Sequence, residues 1–217
     1  MSDKVKVVIV DDHPLFRDGL RQLIERDPRF EVVAEAGTGE EAVALAQNLK
    51  PQVLVLDINL PKLSGLAVAR EIQARQLPVH VLIVTMNNDE ATFNQAINYD
   101  VKGYVLKENA SMEIANGLRA VADGQVFITP SMSGYLINRR RRTEALKSSQ
   151  PGLNELTTAE RRILKLISQN KTSKQISSEL FISVRTVDAH RANICQKLNL
   201  RGMHALLQFA IEHRSEL

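Results

Sequence analysis

Five short apolar runs punctuate the first 125 residues of this 217-residue chain: Val5–Val10, Glu31–Ala34, Val53–Asp57, Val79–Val84 and Gly103–Leu106. They are rich in Val, Ile and Leu and read as strands covered on both faces. Amphipathic patterns between and after them predict helices at about 14–27, 39–49, 64–75, 89–99 and 110–123. Pro14 suits a first helical position, where its missing N–H costs nothing. Pro51 and Pro78 follow helices and block their continuation. Strand–helix alternation repeated five times predicts a doubly wound α/β domain, a parallel sheet with helices on both sides.

The pattern then changes. Residues 126–152 read as a partly helical linker: Ile128-Thr129-Pro130-Ser131 opens it, a short helix is expected around 131–146, and Ser148-Ser149-Gln150-Pro151-Gly152 closes it. Arg139–Arg142 inside it suit either a phosphate backbone or a solvated helix face. From residue 153 to 217 the signals are all helical. Thr157-Thr158-Ala159-Glu160 fits a capping box before the apolar face of Ile163, Leu164, Leu166 and Ile167. Asn170 falls where that helix should end, since asparagine tolerates the left-handed conformation. Thr172-Ser173-Lys174-Gln175 forms a second box. Ser183 can cap a third helix to about Leu198, and Arg201-Gly202 separates a fourth at about 203–214. A short helix, a three-residue turn and a longer helix make a helix-turn-helix.

Composition supports two domains in an ordinary globular chain, with 44% hydrophobic and 24% charged residues. The net charge of +3 conceals an asymmetry: residues 1–125 carry 13 Lys and Arg against 18 Asp and Glu, or −5, and the remainder carries +8. That asymmetry suggests an anionic partner for the second part, nucleic acid or an acidic membrane surface, with a solvated basic face as the plainer alternative. The single cysteine, Cys195, excludes an intrachain disulfide and reads as a small buried apolar group. No run reaches the ~18 apolar residues of a membrane span. Met1-Ser2-Asp3-Lys4 leads into the first strand without a signal-peptide layout, so a cytoplasmic protein without membrane association is expected.

In an open parallel sheet, ligands bind beyond the carboxyl ends of the strands. Asp11 and Asp12 follow the first strand, Asp57 ends the third, Thr85 the fourth, and Lys107 follows the fifth. If the first strand lies beside the third, the carboxylates converge, and a cation among them would offset their repulsion. An all-oxygen ligand set favours Mg²⁺. A carboxylate beside a metal and a lysine can attack phosphorus to form an acyl phosphate. Asp57 is then the nucleophile, Asp12 with Asp11 holds the metal, Lys107 binds the phosphoryl group and Thr85 donates to it. The competing account is a set of polar caps at strand ends.

Val8-Ile9-Val10-Asp11-Asp12-His13-Pro14, Leu54-Val55-Leu56-Asp57-Ile58-Asn59-Leu60-Pro61, Ser64-Gly65, Thr85 and Lys102-Gly103-Tyr104-Val105-Leu106-Lys107 together resemble the receiver domain of two-component response regulators. The resemblance spans residues 1–125. It implies a flavodoxin-like fold of strand order 2-1-3-4-5, phosphorylation of Asp57 by a sensor histidine kinase, and Mg²⁺ held by Asp12, Asp57 and the backbone carbonyl of Asn59, with Asp11 beside them. It also implies a switch in which Thr85 turns toward the phosphoryl group and Tyr104 moves inward. Asn59 would modulate attack by water.

Residues 153–217 resemble the LuxR-type DNA-binding domain of the NarL/FixJ subfamily, on Leu156-Thr157, Glu160, Ile163-Leu164, Leu166-Ile167, Lys174-Gln175-Ile176, Leu180, Ile182-Ser183, Thr186-Val187, His190, Ile194 and Lys197-Leu198. The resemblance implies a small all-α domain of four helices with the third in the major groove. The helical period turns Val187, Ile194 and Leu198 inward and puts Arg185, Asp188, Ala189 and Ala192 on the groove-facing stripe. Lys174, Ser183, Thr186, Arg191 and Lys197 are expected at phosphates. His190 reads as a structural or phosphate-contacting group rather than a metal ligand. Asp188 stands where many relatives have lysine. Met203, after Gly202, stands where arginine is usual, which puts a polar tie to Glu160 in question. Met203, Leu206, Leu207 and Ala210 form a stripe suited to dimerisation or to core packing. The partners so implied are the kinase, double-stranded promoter DNA, RNA polymerase and a second copy of the chain on phosphorylation or DNA binding.

Together these readings give a phosphorylation-regulated transcription regulator with no metabolic turnover, only Mg²⁺-dependent self-phosphorylation and self-dephosphorylation at Asp57. The competing class is a Mg²⁺-dependent phosphohydrolase with an aspartyl nucleophile. It would want a second aspartate two residues after the first, where Asn59 stands. A third reading is a receiver whose DNA binding ignores phosphorylation.

Overall fold

The computed structural model describes residues 4–149, 151–214 and 217. Met1–Asp3 and Gln150, which entered the readings of the leader and of the linker, lie outside the described residues. The chain divides into two compact units, Met1–Tyr135 and Leu136–Leu217.

The first unit is built on a parallel sheet of β1 (Val5–Val10), β2 (Phe30–Ala36), β3 (Val53–Leu56), β4 (His80–Thr85) and β5 (Gly103–Leu106), in the order 2-1-3-4-5. Five helices cover it: α1 (Pro14–Glu25), α2 (Gly39–Leu49), α3 (Gly65–Ala74), α4 (Glu90–Asn98) and α5 (Ala110–Ala122). Alternate strand residues feed two cores. Val8, Val10, Leu54, Leu56 and Ile83 meet Ala46 of α2, Val68 of α3 and Phe93 of α4. Val7, Ile9, Val55, Leu82 and Val84 meet Ile24 of α1 and Leu118 of α5. Burial on both faces is why these strands appear as unbroken apolar runs.

The segment read as a linker contributes more structure than expected. Phe127–Ile128 forms β6, which pairs in parallel with Gly103 and Tyr104 of β5 as a sixth strand at the sheet edge. Two residues are too few to show a period. The buried Thr129 hydroxyl anchors the strand, accepting from Leu106 N at 3.2 Å and donating to Glu113 of α5 at 2.7 Å. A single 3₁₀ turn at Pro130–Met132 then leads into α6 (Ser133–Ser149). Within the first unit, the Tyr135 hydroxyl donates to the carbonyl of Asn88 at 2.8 Å.

The second unit carries α7 (Thr158–Ser168), α8 (Ser173–Leu180), α9 (Val184–Lys197) and α10 (Met203–Glu212) around a core of Ile163, Leu164, Ile167, Ile176, Val187, Ile194 and Leu206. Both expected capping boxes are present, Thr157 with Glu160 and Thr172 with Gln175. Asn170 takes a positive φ of 60° just beyond α7, and Ser183 caps α9 by accepting from Thr186 N at 3.0 Å. Phe181, Ile182 and Ser183 are the three-residue turn between α8 and α9. Among the described residues, no helix is long and apolar enough to cross a membrane.

Candidate functional site

The acidic site forms because β1 and β3 are neighbours. Val10 pairs with Leu56, and the Asp57 N–H donates to the Val10 carbonyl at 2.8 Å, so the chain leaves both strands at one level. Gly65 lets the following loop fold back tightly. A Cβ there would lie 2.0 Å from the Asp57 carbonyl oxygen, and the Gly65 N–H instead donates to Ile58 O at 2.9 Å.

Asp57 and Asp11 are almost fully buried. Asp57 Oδ1 accepts from the Ile58 N–H at 2.6 Å, which fixes the carboxylate plane. Lys107, 9% exposed at its side chain, bridges the two acids, 2.7 Å from Asp57 Oδ2 and 2.6 Å from Asp11 Oδ2. The Asp11 contact is an ion pair without hydrogen-bond geometry, so Asp11 Oδ2 has no hydrogen-bond partner among the described residues. Burial works strongly against the Lys107 ammonium, yet the close contacts and charges of Asp11 and Asp57 outweigh it and hold its pKa above the ordinary lysine value.

Aromatic rings and Thr85 complete the surroundings. The ammonium of Lys107 also lies over the Phe16 ring, 4.7 Å from its centroid. Thr85 is buried and accepts from Asn87 N at 3.2 Å. Tyr104 is fully buried against Phe93, and its hydroxyl donates to Asn87 O at 2.8 Å. Burial, with Asp89 and Asp57 adding to it, raises the Tyr104 pKa well above the ordinary phenol value.

Asp12 and Asn59 are exposed at the rim. Asp11, Asp12, His13 and Asp57 offer ligand atoms that all lie within 4.8 Å of one another. His13 is a member the sequence reading left out of the ligand set: its Nδ1 lies 2.7 Å from Asp12 Oδ1. Phe16 was also missed, since an apolar residue on an amphipathic helix carries no sign that its ring meets an ammonium.

In the second unit Lys174, Ser183, Arg185, Thr186, Asp188, Ala189 and Ala192 are exposed, and His190 is half-buried. At three places the structure adds partners or burial that these expectations did not include. Arg191, expected at phosphate, is buried; its Nη1 donates to Ser173 Oγ at 3.3 Å and its Nε has no partner among the described residues. Lys197 is turned to internal acceptors, Glu160 Oε2 at 2.8 Å and Glu155 O at 3.0 Å. It thereby supplies the tie to Glu160 that Met203 cannot. Of the expected dimerisation stripe, Leu206 and Ala210 are fully buried core, Leu207 is half-buried and Met203 is exposed. A helical period alone cannot separate a core face from an interface.

Residues 7–119 match the response regulator receiver domain family, and residues 154–210 match the bacterial regulatory proteins of the luxR family. The transcriptional regulatory protein DegU of Brevibacillus brevis is 34% identical, over 92% of this chain and 89% of its own. The nitrate/nitrite response regulator NarP of Escherichia coli is 34% identical, over 96% and 95%. A crystal structure of a LuxR-family two-component response regulator from Aurantimonas sp. covers 64% of this chain and 99% of its own, with 32% identity and a TM-score of 0.60. The chain belongs to the two-component response regulators that join a receiver domain to a LuxR-type helix-turn-helix domain. Within that class its relatives place it in the NarL/FixJ subfamily, a group of transcription regulators and not of metabolic enzymes.

Proposed function

We propose that this protein is a phosphorylation-regulated transcription regulator: Asp57 accepts a phosphoryl group from a sensor histidine kinase, and the helix-turn-helix binds promoter DNA. The observation that carries this is Lys107 bridging the buried Asp11 and Asp57 with the carboxylate of Asp12 beside them. The receiver occupies 1–125, the segment 126–152 connects, and 153–217 is the DNA-binding domain.

In the transfer, one Asp57 carboxylate oxygen forms a bond to phosphorus as the bond from phosphorus to the donor's leaving atom breaks. The Ile58 N–H holds the carboxylate in orientation. Lys107 lies within reach of the phosphoryl oxygens and offsets their charge. The buried Asp11 Oδ2 without a hydrogen bond, in an oxygen-rich set with Asp12 and Asp57, fits a hard divalent cation, and His13 at the rim is not needed for one. Asp11, Asp12, Asp57 and the Asn59 carbonyl would hold Mg²⁺, which supplies charge stabilisation to the transferring group.

The new negative charge gives the Thr85 hydroxyl an acceptor. Thr85 then leaves the Asn87 N–H, whose residue also holds Tyr104, and the 86–106 face is altered. The second domain presents Lys174, Ser183, Arg185, Thr186, Ala189 and Ala192 to DNA, with His190 beside them. A second copy of the chain and RNA polymerase complete the expected partners, in the cytoplasm.

Mass spectrometry after incubation with acetyl phosphate and Mg²⁺ tests the site: one phosphoryl group on the wild type and none on Asp57→Ala is expected. Binding of both proteins to duplexes selected from a random pool, with and without acetyl phosphate, tests gating. Equal affinity in all four cases overturns it.

A further inference from the structure

A hydrogen-bonded relay crosses the helix-turn-helix. The buried Arg191 Nη1 donates to Ser173 Oγ at 3.3 Å, and Ser173 Oγ donates to Asp188 Oδ1 at 2.7 Å. Arg191 and Asp188 lie three positions apart on α9, and Ser173 is the first residue of α8. The guanidinium polarises the serine hydroxyl, and the hydroxyl orients the carboxylate. Asp188 is nevertheless exposed, with the small exposed side chains of Ala189 and Ala192 nearby on the same helix. An exposed aspartate held in one geometry by a buried arginine is organised beyond what surface solvation requires. Ser173 engages one oxygen, and an ionised carboxylate offers about four lone-pair sites, so acceptor capacity remains.

Resting on the DNA-binding reading, we propose that Asp188, oriented by Ser173, is a specificity-determining residue that selects cytosine at one base pair of each half-site. A carboxylate is an acceptor only, and phosphate repels it, so a base edge must supply a donor. In the major groove guanine shows N7 and O6, and thymine shows O4, all acceptors that repel a carboxylate. Adenine has a donor at N6 but an acceptor at N7 beside it. Cytosine presents its N4 amino group without an adjacent acceptor on the same base. The aspartate therefore reads by exclusion as well as attraction.

The test is selection of duplexes from a randomised pool by the full-length phosphorylated protein, for wild type, Asp188→Asn and Ser173→Ala. Wild type is expected to show one position per half-site where cytosine is preferred on the order of ten-fold or more. Asp188→Asn is expected to switch that position to adenine, since an amide can bond both N6 and N7, and to bind random DNA more tightly as a repulsive charge is lost. Ser173→Ala is expected to weaken the cytosine preference several-fold with the other positions unchanged.

An unaltered base choice in Asp188→Asn overturns the proposal and leaves the DNA-binding function standing. So does a uniform loss of affinity across all sequences. A wild type that selects no sequence at all overturns the underlying function as well.

Discussion

Each unit of this chain sets a lysine against buried carboxylate charge, Lys107 between two acids in the first and the half-buried Lys197 on Glu160 in the second, and the two clusters differ in balance. In the second, Glu160 Oε2 accepts from Lys197 at 2.8 Å, from the Thr157 N–H at 2.8 Å and from the Thr157 hydroxyl at 3.0 Å. The charge is paired and the capping box is closed. In the first, Lys107 serves two buried acids with Asp12 beside them, and Asp11 Oδ2 has no hydrogen bond. Balanced buried charge is structural; surplus buried charge of one sign destabilises the empty site and marks a place built for something else.

The sharpest way to break that contrast is to remove one acid from each cluster. Glu160→Ala removes a charge-assisted bond to the half-buried Lys197 and opens the capping box, so the second unit should lose about 3 kcal/mol. Asp57→Asn removes surplus negative charge and should leave the first unit as stable or more stable. Urea unfolding with hydrogen exchange resolved over residues 1–135 and 136–217 reads the two separately. Equal losses in both units would erase the distinction.

Next in size is the response to a cation. Mg²⁺ at about 100 times its dissociation constant should stabilise the first unit by about 2.7 kcal/mol and leave the second unchanged. Removing the metal with EDTA should reverse the gain, and Asp57→Asn should diminish it. A rise in the melting temperature of the second unit alone would contradict the assignment of the surplus acids.

Much of this contrast was legible in the chain, for a physical reason. Strands buried on both faces write continuous apolar runs, so their ends, and the Asp57 and Lys107 that stand there, could be located. Capping boxes are local, and Thr157 and Thr172 announced theirs. What stayed hidden depends on distant partners. β6 is two residues long and exists only because β5 lies beside it. Arg191 and Lys197 looked like phosphate ligands because a basic residue on a basic helix shows nothing of Ser173 or Glu160 waiting in the fold. Leu206 and Ala210 suited an interface or the core equally, for the same reason.

Acid should separate the clusters again, with a smaller effect. Burial opposes the Glu160 charge most strongly, but Lys197 and Thr157 outweigh it, so its folded pKa lies below the ordinary 4.5. A depressed carboxylate contributes stability that is fully present above the ordinary value and is lost as pH falls through the folded value. The second unit should therefore weaken progressively below about pH 4.5, and Glu160→Gln should flatten that dependence. A melting temperature for 136–217 with the same acid slope in wild type and Glu160→Gln would place the dependence elsewhere.

The smallest effect sharpens the comparison at the level of one helix. α2 in the first unit has a single side-chain cap, Thr38 to Glu41 N at 3.3 Å, but its residues Ala42, Val43 and Ala46 are anchored in a sheet-covering core. α8 is only eight residues long and buries Ile176 alone, so it relies more on its ends. Thr172→Ala should cost about 1 kcal/mol, and Thr38→Ala less, because packing already holds the first turn of α2. The loss at α8 should also be local. Its first turn carries Ser173, whose hydroxyl holds Asp188 on α9. Amide exchange should therefore quicken at the start of α8 while α9, anchored by Val187 and Ile194, keeps its protection. Equal losses for the two threonines would mean that a cap counts the same whether or not packing holds the first turn.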